Sequence, residues 1–173
     1  QTTDPDTHDL IFPEMEHWRD MEVATPNGTE IIDGMGYAAI GRLRLIELLA
    51  TRAEELGTTL RFATEVDDLN TLDADLVIGA DGFNSLVRQH MEARFAPSLD
   101  HFENHFAWFG ASVPFERLTQ TFVRTPNGAF NAHHYRYAPD RSTFIVECDD
   151  ATFKAYGFAE MGEEESARIC SKI

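Results

Sequence analysis

Asp81 lies between Gly79 and Gly82, with Ser85 and Arg88 following, and this grouping has the makings of a ligand site. The glycines permit close backbone approach and positive φ around the acid. The alternative is an ordinary strand-to-helix turn with an acidic cap. A second group is Arg42 and Arg44, which fall in the first turn of an expected helix with no acid before Glu47. Cations there oppose the helix dipole by about 0.3–1 kcal/mol each, a mismatch that a nearby anion would relieve. A third is the run Phe130–Tyr137, where strand alternation puts Asn131, His133, Tyr135 and Tyr137 on one face. An amide, an imidazole and two phenols are too polar for a simple core. They suit either a binding surface or a half-exposed strand. His101 and His105 have helical metal-ligand spacing but no third ligand in pattern, so no metal site is assigned. No Ser/His/Asp or Cys/His nucleophile arrangement stands out, and no catalytic residue is assigned.

These residues need elements to hold them. Leu76–Ile78 is a short apolar, β-branched run, expected as a strand buried on both faces within 75–80. Asn84 or Ser85 would cap the helix that follows. Leu43, Ile46, Leu49, Ala50, Ala53 and Leu56 fall at helical spacing and predict a helix over 42–56, stopped at Gly57. Asp4-Pro5 predicts an early helix start, followed by a polar segment around Trp18. Met21–Thr25 and Thr29–Ile32 flank Pro26-Asn27-Gly28 as a hairpin, and Gly34-Met35-Gly36 reads as a loop. The same Thr-Pro-Asn-Gly recurs at 125–128 as shared turn chemistry. Thr58–Phe62 is expected as a strand. After Pro97 come four strands, mostly antiparallel, over 106–113, 118–124, 129–137 and 143–148. A short helix around Phe153 and a last one from about Glu163 complete the series.

Composition narrows the partners. At 43% hydrophobic and 25% charged residues the chain reads as one soluble globular domain's worth of sequence. A net charge of −16 repels nucleic acid and anionic membranes, so neither is expected as a partner. An anionic small molecule would need local arginines. Cys148 and Cys170 have no metal or redox spacing, which makes a reducing cytoplasm the default. No apolar run approaches membrane-spanning length.

Asp81-Gly82 with Ser85 and Arg88 resembles the "DG" motif of the flavoprotein aromatic hydroxylases, the single-component FAD monooxygenases of the p-hydroxybenzoate hydroxylase fold. Gly41-Arg42-Leu43-Arg44-Leu45, Phe106-Ala107-Trp108-Phe109-Gly110, the segment 132–137 and the segment 142–147 are similar to the salicylyl-CoA 5-hydroxylase and 2-aminobenzoyl-CoA monooxygenase branch. His134 departs from that pattern, where a small residue is usual.

The resemblance implies an α/β plus α+β fold: part of a Rossmann-type FAD-binding domain over 1–96, with a hairpin given to the substrate domain, and a mostly antiparallel substrate-domain sheet over 97–173. It implies FAD contacts at Arg42, Asp81 and Gly82, and an aromatic substrate under Asn131, His133, Tyr135 and Tyr137. FAD and NAD(P)H would be the cofactors and an aryl-CoA thioester the substrate. A free aromatic acid or an indole-type ring is the alternative within the fold, and a non-catalytic acidic interaction module the alternative outside it. The family's Gly-x-Gly-x-x-Gly cradle and later Gly-Asp motif are not found in the sequence. The chain is therefore expected to be an internal segment that does not retain FAD by itself.

Overall fold

The computed structural model describes residues 3–173, and local capping chemistry accounts for several of its elements. Helix α1 (Pro5–Ile11) starts where Asp4 accepts the Thr7 amide. Strand β1 (Glu16–Trp18) precedes the hairpin β2 (Met21–Thr25) and β3 (Gly28–Ile32), and β4 (Tyr37–Ala39) returns to pair antiparallel with β1. The 16–18 and 37–39 pairing is new relative to the sequence reading. Each strand has only three residues, too few for alternation to show.

Helix α2 (Arg42–Glu55) ends as its glycine demands: Gly57 has φ +83, its amide donates to the Glu54 carbonyl, and the Thr58 amide donates to that of Ala53. Helices α3 (Leu86–His90) and α4 (Glu92–Phe95) are short. Strands β5 (His105–Ala111), β6 (Leu118–Thr125), β7 (Gly128–Ala138) and β8 (Arg141–Cys148) fall close to their expected positions, followed by α5 (Asp150–Tyr156) and α6 (Glu163–Cys170).

Six strands form one sheet in the order β3-β2-β6-β7-β8-β5. Every pairing is antiparallel except β2 with β6, which is parallel with Met21 opposite Leu118. The β2–β3 hairpin thus joins the sheet built from the second half of the chain. One sheet face carries the core. Phe130, Ala132, Val146 and Cys148 are buried there beneath Phe153, Phe158 and Cys170. Full burial of a side chain such as Phe130 contributes about 1.5–3 kcal/mol.

The described chain falls into two compact units. One compact unit comprises the described residues up to Thr58 together with Glu103–Ile173; the other is Thr59–Phe102.

Two expected strands are corrected. Neither 58–62 nor 75–80 is a strand, and Leu76 and Ile78, expected to be buried on both faces, are 75% and 79% exposed. A strand exists by pairing, and no described segment offers 75–80 a ladder. The helix expected over 42–56 forms, with its apolar series only partly covered. Leu43 is 71% exposed and Ile46 and Leu49 are also exposed, whereas Leu48, outside that series, is 6% exposed. The described chain packs the side of α2 carrying Leu48.

Candidate functional site

The first-turn arginines of α2 part company. Arg44 makes a two-pronged ion pair with Glu14, at 2.9 and 3.1 Å, and this hydrogen bonding holds the Glu14 carboxyl below its usual range. The anion expected for Arg44 is therefore a residue of this chain. Arg42 has no carboxylate partner among the described residues; its guanidinium lies 5.6 Å from the centre of the Trp108 ring. Gly41, immediately before it, is fitted to its place: a Cβ there would stand 3.3 Å from the Tyr137 ring.

Arg42 sits on an open concavity of about 690 Å³, within the usual range for small-molecule sites. Trp108 from β5, Tyr135 and Tyr137 from β7, and Arg141 and Thr143 from β8 also line it. Register explains the gathering, since Tyr135 is opposite Thr143, which is opposite Gly110 two residues beyond Trp108. Tyr135 is further braced by Trp18, whose ring meets it edge-on at 6.0 Å. Beside it, Arg136 donates to Glu16 at 2.5 Å and ties β1 to β7. The lining carries two guanidiniums and no carboxylate, in a chain of net charge −16. This is a local reversal of sign, with aromatic walls, suited to a flat anionic ligand.

Asn131 and His133 share the face of Tyr135 but lie further along β7, outside the concavity's lining. The His133 Nε2 atom is 3.7 Å from Glu147, too long for a hydrogen bond, and both it and Asn131 Oδ1 are buried without a partner among the described residues. His134 points to the opposite face, stacked on Phe144 at 5.0 Å; burial, and then the neighbouring His133, lower its pKa. His105 lies in β5, not on a helix, 3.1 Å from Asp150 and stacked on Phe153. Burial pushes the Cys148 thiol up to about 11, which leaves it protonated and unreactive.

Asp81 and Gly82 belong to the second compact unit. The Asp81 carboxylate accepts from Ser85 Oγ at 2.6 Å and from the Leu86 and Val87 amides at 2.6 and 3.4 Å. Ser85 in turn accepts the Arg88 amide as the cap of α3. The Ser85 hydrogen bond is the main cause that lowers the Asp81 pKa, helped by the amides. Asp81 is thus a structural cap for α3 in its own right. Gly82 has φ +77 with open space where a side chain would project, and Gly79 is held against Val87, whose Cβ would stand 2.6 Å from a Cβ at that position. Asp81, Gly82, Ser85 and Arg88 line a second concavity of about 490 Å³.

Trp108, Arg141 and Thr143 went unassigned in the sequence. Counting outward from the tight turn at Pro139-Asp140 would pair Tyr135 with Phe144; a bulge between Arg136 and Ala138 shifts the register by one and brings Tyr135 opposite Thr143, and the sequence carries no signal of that bulge.

A model of the FAD binding domain family matches residues 24–166. Salicyloyl-CoA 5-hydroxylase from a Streptomyces species is 39% identical over 147 residues, 84% of this chain and 28% of that protein. The 3-hydroxy-4-methyl-anthranilyl-(aryl-carrier protein) 5-monooxygenase of Streptosporangium sibiricum is 34% identical over 86% of this chain and 42% of its own length. The chain therefore spans less than half the length of these relatives. A variant of PqsL from Pseudomonas aeruginosa has the same fold over 93% of this chain and 50% of its own, with a TM-score of 0.60 at 16% identity.

Proposed function

We propose that this chain, which belongs to the FAD binding domain family, is part of a single-component aromatic hydroxylase that uses FAD, NAD(P)H and O2 on an aryl-CoA thioester such as salicylyl-CoA or 2-aminobenzoyl-CoA. The observation that carries this reading is the lining of the concavity, with three aromatic rings, two guanidiniums and no carboxylate in an otherwise acidic chain. The name of the first relative supports an aryl-CoA, and that of the second an anthranilyl group held on an aryl-carrier protein. No helix of the described residues is long and apolar enough to cross a membrane, and a cytoplasmic site of action completes the proposal.

The residues fit the cofactor at Arg42. It is a cation at a helix start without a carboxylate partner among the described residues, placed to meet an electron-rich or anionic group. Gly82, with its uncovered backbone, and the Asp81 turn are proposed as a second FAD contact. When bound, FAD supplies the redox and oxygen-activating chemistry. The protein's own part is to hold the ring flat between Tyr135, Tyr137 and Trp108, and to hydrogen-bond the ring substituent from the tyrosine hydroxyls, with Asn131 and His133 proposed to support that face from further along β7. Residues 1–96 are proposed to serve chiefly the cofactor and 97–173 the substrate.

The test uses the full-length protein with FAD, NADH or NADPH, 18O-labelled O2, and salicylyl-CoA, 2-aminobenzoyl-CoA, salicylate and an indole acid in parallel. A product carrying one labelled oxygen, formed fastest from a CoA ester, supports the reading. Preferred hydroxylation of salicylate or the indole acid would replace the CoA thioester by a free ring substrate. Oxidation of NAD(P)H with no labelled product from any of the four would contradict a hydroxylase of this kind.

A further inference from the structure

We propose that Thr143 and Arg141 read the acyl end of the substrate, with the Thr143 hydroxyl donating to a carbonyl conjugated with the ring and Arg141 holding the anionic group beyond it. This rests on the aromatic-hydroxylase reading and assigns individual roles to two residues of the same lining.

Thr143 is 4% exposed, it lines the concavity, and its Oγ1 is buried with no hydrogen-bond partner among the described residues. A buried hydroxyl without a partner is unfavourable, and native structures rarely leave one. Its cross-strand neighbour is Tyr135, so the hydroxyl stands beside an aromatic wall. A flat ring against that wall would present an in-plane substituent to Thr143. Arg141 lies two residues earlier on β8 and therefore on the same face, and it lines the same concavity nearer solvent. Its one carboxylate neighbour, Asp140, is 4.0 Å away, and both side chains are largely exposed, a pairing of little strength. A neutral donor deep in the site followed by an exposed cation matches a ligand with ring, carbonyl and anionic extension in that order. A phenol without an acyl group would use neither residue.

The experiment titrates the full-length flavin-loaded protein with salicylyl-CoA, salicylate and phenol, following the flavin absorbance change, in the wild type and in Thr143→Val, Thr143→Ser and Arg141→Gln. The inference predicts that Thr143→Val raises the Kd of salicylyl-CoA about tenfold and leaves that of phenol within about twofold. Thr143→Ser, which keeps the hydroxyl, stays near wild type. Arg141→Gln weakens salicylyl-CoA and flattens the salt dependence of its binding. Unchanged salicylyl-CoA affinity in Thr143→Val, or an equal loss for phenol, would overturn the assignment while leaving the hydroxylase reading intact. A wild-type protein that binds none of the three would contradict both.

Discussion

At the residue scale, two arginines of one helix turn have different work. Arg44 is committed to Glu14, while Arg42 faces an aromatic ring and an open concavity. In the full-length protein Arg42→Ala is predicted to weaken FAD by about 1–3 kcal/mol, and Arg44→Ala to retain FAD affinity, since it loses only an exposed ion pair with Glu14. Fluorescence titration of FAD measures this, and equal FAD losses in both variants would remove the distinction. Sequence alone grouped them because the charge at a helix start is legible, whereas a partner thirty residues upstream is not. Asp81 gives a pH prediction. Its folded pKa lies below the ordinary 3.8, chiefly through Ser85. The ionised cap therefore stabilises α3 above the ordinary value, and that stability is lost as pH falls from about 3.8 through the lower folded pKa. Hydrogen exchange at the Leu86 and Val87 amides should accelerate in that window beyond the intrinsic trend, and should not in Asp81→Asn.

At the element scale, the two Thr-Pro-Asn-Gly turns make a natural control. In each, the threonine hydroxyl donates to the glycine carbonyl and accepts the asparagine amide, and the glycines have φ +141 and +143. Their surroundings differ. A Cβ at Gly28 meets nothing within 4 Å, while one at Gly128 would stand 2.7 Å from Thr152 Cβ and closer still to its hydroxyl. Gly28→Ala is expected to cost about 1–3 kcal/mol through backbone strain alone. Gly128→Ala should cost about 1–3 kcal/mol more through overpacking against α5. Urea unfolding of the 173-residue chain compares them, and equal losses would contradict the packing account. Such turns, the strands around them and α2 were legible because each carries its own local signal. The strand expected at 75–80 was not realised, since its apolar run specifies a preference for burial and leaves the pairing partner unstated. Which side of α2 is covered was not legible for a related reason: Leu43, Ile46 and Leu49 are periodic, but only packing decides which face is buried.

At the scale of the whole molecule, the sheet β3-β2-β6-β7-β8-β5 has a core on one face and a polar aromatic surface on the other. The alternation of 130–137 made that surface readable from the sequence. Which of its residues border the concavity depended on register with β8 and β5, so Tyr135 and Tyr137 were found while Trp108, Arg141 and Thr143 were not. The central claim is that this face orients an aromatic ring for hydroxylation. The most direct measurement is product formed per NAD(P)H consumed in full-length Tyr135→Phe and Tyr137→Phe, the two phenols of β7 that line the concavity. Both variants should keep the flavin spectrum. Losing a hydrogen bond to the substrate lowers kcat/KM by a factor set by about 1–3 kcal/mol, and NAD(P)H consumption should then release peroxide in place of product. Wild-type product yield per NAD(P)H in both variants would contradict the account and leave this face as ordinary sheet surface.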